Sequence, residues 1–313
     1  MGTQKDIEFS YDNMDEFWRL SLGEHADITA AFFNGDTTKT LEQAQKDKHS
    51  WVLDGINFKR GDRILDVGCG WGPMLKAIKE RGGEGLGLTL SRAQLETCKK
   101  HGLDARLLNW KDAELSQLGK FDGIVSIGSF EHYCSIEGYL AGKREGIYSD
   151  FFKFSHDLLK DEGRLFLQTM TLGKNPPWGS QTPIAEDLSK ISMNAPFKSD
   201  YRVLAGMDAV LPGSCVPSQG IDYLNSLASP YFDYIKSSDG RLDYVQTVTE
   251  WEKRWFAPQP GKTWVKIKSL RHYFTNGIRH WNKMKAIREG DVREVFIRDI
   301  LGHQRIFYGK KSA

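Results

Sequence analysis

The chain has 313 residues, 40% of them apolar, and sets 43 Lys+Arg against 41 Asp+Glu for a net charge of +2. That length and apolar content can bury one large or two modest cores, which excludes a disordered chain. No apolar run approaches the roughly 18 residues of a membrane span, and Met1 to Asp12 lacks the basic-then-apolar layout of a secretion signal, so a cytoplasmic protein is expected.

Cys69, Cys98, Cys134 and Cys215 form no C-x-x-C pair and have no closely spaced His, which predicts no metal site and suits a reducing compartment. Charge is uneven. Residues 261–313 carry 13 Lys/Arg and 4 Asp/Glu, a balance of +9 that leaves −7 for the rest. Two readings of this basic region stay open: a solvated helical face, or a landing surface for an anionic membrane or an acidic acyl carrier.

Taken in order, residues 1–58 read as helical. Asp15 to Leu22 is amphipathic, and Thr40-Leu41-Glu42-Gln43 looks like a capped start in which Gln43 reaches back to the cap. Strands are predicted at Arg63–Val67, Glu84–Leu90, Phe121–Ile127 and Arg164–Met170, and helices at Pro73–Arg81, Ser91–His101 and Tyr148–Leu159. Strands alternating with helices imply an α/β fold, a mainly parallel sheet wrapped on both faces. Between Leu172 and Gly220, six prolines from Pro176 to Pro217 interrupt any long element, while Trp178, Ile184, Leu188, Phe197 and Met207 are too apolar for a linker; an inserted lid is expected. Leu242–Phe256 and Trp264–Ile287 read as helices, and Arg305–Tyr308 as a last strand. The expected division is 1–58 as a helical cap, 59–172 as the nucleoside-binding core, 173–220 as the lid, and 221–313 as the completion of the core with substrate-side helices.

The sharpest local signal is Asp66-Val67-Gly68-Cys69-Gly70-Trp71-Gly72, a strand ending in an acid and then a glycine loop opening a helix. Such a loop lets a ligand approach backbone N–H groups at a helix start. A dinucleotide fingerprint would place glycine where this chain has Pro73 and an acid near Leu88-Thr89-Leu90, so NAD is disfavoured. S-adenosylmethionine fits better, with Asp66 facing its ammonium.

This loop, together with Gly87-Leu88-Thr89-Leu90-Ser91 and Gln94, Ile127-Gly128-Ser129-Phe130-Glu131-His132, Thr40-Leu41-Glu42-Gln43-Ala44-Gln45, Leu211-Pro212-Gly213 with Pro217-Ser218, and Asp243-Tyr244 followed by Thr247 and Trp251, resembles the cyclopropane fatty acid synthase and mycolic acid methyltransferase family. The resemblance implies the doubly wound class I methyltransferase fold and S-adenosylmethionine, with S-adenosylhomocysteine as product. The cofactor-binding set it implies is Thr29, Asp66, Gly68, Gly70, Gly72, Thr89, Leu90, Gln94, Asn109, Trp110 and Ile127. Thr89 and Gln94 would serve the ribose, where other methyltransferases use a carboxylate, and Trp110 would lie against the adenine.

At the reacting end, the resembled family holds a bicarbonate with a Cys, a Glu, a His, a Tyr and a backbone group. Glu131 matches the Glu, Tyr244 the Tyr and Ile127 the backbone group. Ala30 stands at the Cys position and Gln168 at the His position. Alanine offers no ligand and glutamine no titratable nitrogen, which counts against bicarbonate and against ring formation. The implied catalytic set is Glu131, Tyr244 and Gln168, and the implied activity is methyl transfer to a lipid-like or other largely apolar acceptor. Two alternatives stay open: a cyclopropane synthase acting on an unsaturated acyl chain, and a non-catalytic binder of the nucleoside or lipid. Nucleic acid is not an expected partner, since no basic cluster surrounds the loop and the C-terminal aromatics read as packing.

Overall fold

The computed structural model describes residues 21–179, 182–211, 216–258 and 291–312, with isolated positions between 263 and 285. Pro212, Gly213, Cys215 and most of the stretches predicted helical at Asp15–Leu22 and Trp264–Ile287 lie outside the described residues.

Among the described residues, seven strands form one sheet: β1 (Arg63–Val67), β2 (Glu84–Thr89), β3 (Asp104–Leu107), β4 (Phe121–Ile127), β5 (Leu159–Leu172), β6 (Phe232–Asp239) and β7 (Leu301–Lys310), in the spatial order 3-2-1-4-5-7-6. Strands β1 to β5 pair in parallel, and β7 pairs antiparallel with both β5 and β6. The centre of the sheet is covered on both sides, as the near-continuous apolar strands require. Leu65 and Val67 face a cluster with Phe151 and Phe152, while Ile64, Val125 and Phe166 face Val52, Leu53 and Phe307.

The helices that bear on the site are α1 (Leu41–Gly55), α2 (Pro73–Glu80), α3 (Arg92–Lys100), α4 (Arg144–Leu158), α5 (Asp200–Val210), α6 (Ile221–Ala228) and α7 (Arg241–Phe256). At the start of α1, Thr40 Oγ1 accepts from the Gln43 backbone N–H at 3.1 Å. The Gln43 side chain does not reach back. Its Nε2 donates forward to Asp47 Oδ1 at 2.6 Å, a charge-assisted bond one turn on that turns the side chain away from the cap.

The proline-rich stretch also departs from expectation. Residues between Pro196 and Pro212 have room for three turns, and α5 fills them, started by Ser199, whose side chain accepts from Arg202 N. Val203, Leu204 and Met207 of α5 pack into a cluster with Ala30, Ala31, Leu41, Met170, Trp251 and Phe296. Burying a side chain such as Leu204 contributes about 2 kcal/mol, so this stretch is part of the packed body beyond the carboxyl end of β5.

Candidate active site

The glycine loop leaves the end of β1 with Gly68 at φ 90 and Gly70 at φ 56, both in the region open to glycine. A Cβ on Gly68 would fall 2.3 Å from Ser129 Cβ, so the loops after β1 and β4 can come this close only with glycine at that position. Ser129 Oγ then donates to the Val67 carbonyl at 2.6 Å and locks the two loops together. At Gly70 an added Cβ would meet nothing within 4 Å. Gly72 acts differently. It does not line the cavity, and its missing Cβ admits Leu103 and Cys98 against the first turn of α2. Cys69 and Cys98, distant in sequence, both lie against the Gly70 carbonyl, at 3.7 and 3.6 Å, as free thiols.

A cavity opens above these loops. Thr29, Asp66, Gly68, Gly70, Thr89, Leu90, Gln94, Asn109, Trp110 and Ile127 all line it, so the structure brings the cofactor set together except for Gly72. Thr89 Oγ1 and Gln94 Oε1 are 2.8 Å apart, an uncharged polar pair at the end of β2. Trp110 forms one wall and also packs against Tyr133, Phe151 and Phe154 with centroids 5.3 to 5.5 Å apart, so it serves core and cavity at once. Trp71 is buried and lines the cavity as well. Burial pushes the Asp66 carboxyl up to about 7, the Asp27 charge adds to this and Lys48 opposes it. A cation placed beside Asp66 favours its ionised form.

Sequence reasoning missed part of the wall. Asp27, His49 and His132 line the cavity too. Asp27 is buried and held well below the usual carboxylate range: burial alone would raise it, but Lys48 and His49 outweigh that. No spacing rule links a loop aspartate to a lysine and histidine on the next helix. His132 follows directly on Glu131; burial pushes its imidazole down to about 4, and its Nδ1 has no hydrogen-bond partner among the described residues.

The three residues assigned to the reacting end are all buried, and none lines the cavity. Glu131 sits in a short 3-10 turn after β4, accepts from Thr169 Oγ1 at 3.0 Å, and is pushed up to about 7 by burial, against which hydrogen bonds to its own and the Met170 backbone and to Thr169 act. Gln168, the neighbouring residue on β5, points to the other face. Its Nε2 donates to the Ala30 carbonyl at 3.3 Å and its Oε1 accepts from Arg305 Nε at 3.4 Å. The two positions that depart from the resembled family therefore meet. Arg305 in turn donates to Asp243 Oδ2 and to the Ala31 carbonyl, each at 2.7 Å, so its charge is already matched. Tyr244 stacks on Phe296 with centroids 4.5 Å apart and meets the edge of His303 at 5.1 Å, on the Gln168 side of the sheet.

The family described as mycolic acid cyclopropane synthetase matches residues 2–273. Cyclopropane mycolic acid synthase 2 of Mycobacterium leprae is 28% identical over 258 residues, 78% of this chain and 77% of its own length. The S-adenosylmethionine-dependent methyltransferase UmaA of Mycobacterium tuberculosis is 30% identical over 289 residues, 86% of this chain and 92% of its own. Among solved structures, the mycolic acid cyclopropane synthase CmaA1 complexed with SAH and CTAB superposes with a TM-score of 0.73 over 99% of each chain at 24% identity, which shows the same class I methyltransferase fold. With a match across most of its length and a shared architecture, the chain belongs to the mycolic acid cyclopropane synthetase family.

Proposed function

We infer that the chain transfers a methyl group from S-adenosylmethionine to a lipid-like, largely apolar acceptor and releases S-adenosylhomocysteine. The observation that carries this is the cavity itself: an acid at the end of β1, an open glycine at Gly70, an uncharged Thr89–Gln94 pair at the end of β2 and an indole wall at Trp110 surround one space. An ammonium suits Asp66, ribose hydroxyls suit the neutral pair, and an adenine suits Trp110. When bound, the nucleoside supplies an electrophilic methyl on a sulfonium. The chain's own part is alignment, exclusion of water and proton removal. Glu131 fits the last task, since a buried carboxylate poised near neutral pH is a competent base. UmaA carries methyltransferase activity in its name, and CmaA1 was solved in complex with SAH and the lipid-like detergent CTAB; both support the reading.

Ring formation has less support. The anion site of the resembled family would fall where Gln168 is committed to Ala30 and Arg305, and that guanidinium is already paired with Asp243. Incubation with an unsaturated acyl lipid and isotope-labelled S-adenosylmethionine is expected to give a methyl branch or a methyl ester or ether. A cyclopropane at the double bond would instead establish the synthase reading, and tight nucleoside binding with no turnover on a broad acceptor panel would establish the non-catalytic binder.

The acceptor class sets the partner. Residues 262–288 contain eight Lys/Arg and no Asp/Glu, and Trp264, Ile267, Phe274 and Ile278 in the same stretch are exposed. Basic groups interleaved with exposed apolar ones suit an anionic lipid surface better than an acidic carrier protein. The chain is expected to sediment with anionic vesicles and not with zwitterionic ones, and to be released as salt approaches 1 M, where the screening length falls to about 3 Å. Equal binding to both vesicle types would remove this reading. Among the described residues no helix is long and apolar enough to cross a membrane.

A further inference from the structure

Cys69 and Cys98, one in the glycine loop and one on α3, meet beneath the nucleoside cavity. Either thiol can donate to the Gly70 carbonyl, at 3.7 and 3.6 Å, and the Cys69 thiol also donates to Cys98. Glycines make the space. A Cβ on Gly87 of β2 would fall 2.6 Å from Cys69 Sγ, and one on Gly72 would fall 3.0 Å from Cys98 Sγ. The two sulfurs differ in access: Cys69 lines the cavity, whereas Cys98 is wholly buried behind it.

One thiol reached from a ligand cavity and a second in contact with it are the parts of a dithiol switch, the first to be oxidised and the second to resolve the product. The bond that Cys69 donates, and then burial, push its thiol well above the ordinary range, so it yields only to sustained oxidant. Accepting that bond holds the Cys98 thiol below its ordinary range, with burial acting the other way, which suits it to resolve.

We propose that Cys69 and Cys98 form a reversible disulfide when a peroxide enters the empty cavity, and that this bond weakens nucleoside binding. The Cys69 sulfur takes one oxygen of hydrogen peroxide to become a sulfenic acid; the O–O bond breaks and the thiol proton leaves with the second oxygen as water. The Cys98 sulfur then displaces the sulfenic hydroxyl, which leaves as water with the Cys98 proton. Two thiols and one peroxide thus give one disulfide and two waters. A disulfide holds its sulfurs about 2.05 Å apart, well inside the contact distance of two thiols, so closing it draws α3 and the glycine loop together. Gly70, next to Cys69, and Gln94, one turn before Cys98 on the same face of α3, both line the cavity, so two of its walls shift. The loop has little freedom to follow, because the Gly68 and Cys69 N–H groups both donate to the Leu88 carbonyl at 2.9 Å. A bound nucleoside, standing in front of Cys69, shields it. The effect on binding rests on the cofactor reading above, and formation of the bond does not.

Peptide mapping of the full chain without reductant tests the bond. After hydrogen peroxide, the tryptic peptides 64–76 and 93–99, which carry Cys69 and Cys98, are expected as one linked species that dithiothreitol separates. Saturating S-adenosylhomocysteine should slow the linkage several-fold. Calorimetry on the oxidised chain should show S-adenosylhomocysteine weakened by about tenfold or more, the loss of one hydrogen bond to a charged ligand group, with recovery on reduction. The double variant Cys134→Ser, Cys215→Ser should respond as the wild type does. Cys98→Ser should give no linked peptide and a sulfenic acid at Cys69 that dimedone traps; should it fail to fold, mapping of the wild-type chain carries the test. Peroxide that links no such peptides, or links them with affinity unchanged, would overturn the switch. A reduced chain that does not bind S-adenosylhomocysteine would overturn the cofactor reading and the effect on binding with it, while the linked species would still establish the bond.

Discussion

Replacing Glu131 with glutamine is expected to lower turnover by about 10²–10⁴-fold while leaving S-adenosylhomocysteine affinity nearly unchanged. The side chain does not line the nucleoside cavity, so binding does not depend on it. Its carboxylate is buried against Thr169 and titrates near 7, where a group can take a proton at neutral pH. The sign of the pH dependence follows. Below about 7 the carboxyl is protonated and cannot accept, so wild-type kcat should rise with pH through about 7 and level off above it. The glutamine variant should lose that rise. Single-turnover rates across pH, with calorimetry for binding, check both halves; a variant of unchanged rate would remove Glu131 from the mechanism.

Replacing Arg305 with methionine is expected to destabilise the fold by about 3–5 kcal/mol, the usual result of breaking one side of a buried ion pair. Arg305 is wholly inaccessible and Asp243 nearly so. Without the guanidinium, Asp243 keeps only the Asn34 backbone N–H as a partner among the described contacts, and the Ala31 carbonyl and Gln168 Oε1 lose their donor. Denaturant unfolding should therefore show a large fall in midpoint for Arg305→Met. The double variant Arg305→Met, Asp243→Asn should recover a good part of it, since the stranded charge is gone. If the double variant is as unstable as the single one, lost packing of the arginine stem, not charge, accounts for the effect.

Much of the fold was legible because parallel strands buried on both faces must be short apolar runs, and helices between them must cap and stop. Phe121–Ile127 and Arg63–Val67 are found with the predicted bounds, and Ser91 caps α3. β3 and β6 were not predicted: Asp104–Leu107 is a short, partly exposed edge, and Phe232–Asp239 presents mostly exposed residues, so neither carries an apolar pattern. α5 was hidden by its flanking prolines, which bound the helix and do not break it.

The site divides along the same line. Glycines, Asp66, Thr89 and Gln94 sit at chain positions tied to strand ends, so they could be named in advance. The Asp27–Lys48–His49 cluster joins a loop to a helix and has no periodic trace. The Asp243-Tyr244-x-x-Thr247 segment was read for its tyrosine, yet its spacing has a plainer cause. Asp243 accepts from Asn34 N and Arg305, and Thr247, one turn on, accepts from Ala31 N at 3.0 Å, so α7 grips the N-terminal segment at two points.

The position of β7 has a consequence for biosynthesis. β7 follows β1 to β6 in the chain and is nonetheless an interior strand, inserted between β5 and β6, and it brings Arg305, which clamps residues 31 and 243. A nascent chain can assemble β1 to β5 as they emerge, but its first wall of the nucleoside chamber has no clamp until β7 has been made. Until then the emerging enzyme has a floor for its nucleoside and no secured doorway, so competence to bind is acquired late, in the step that also completes the sheet.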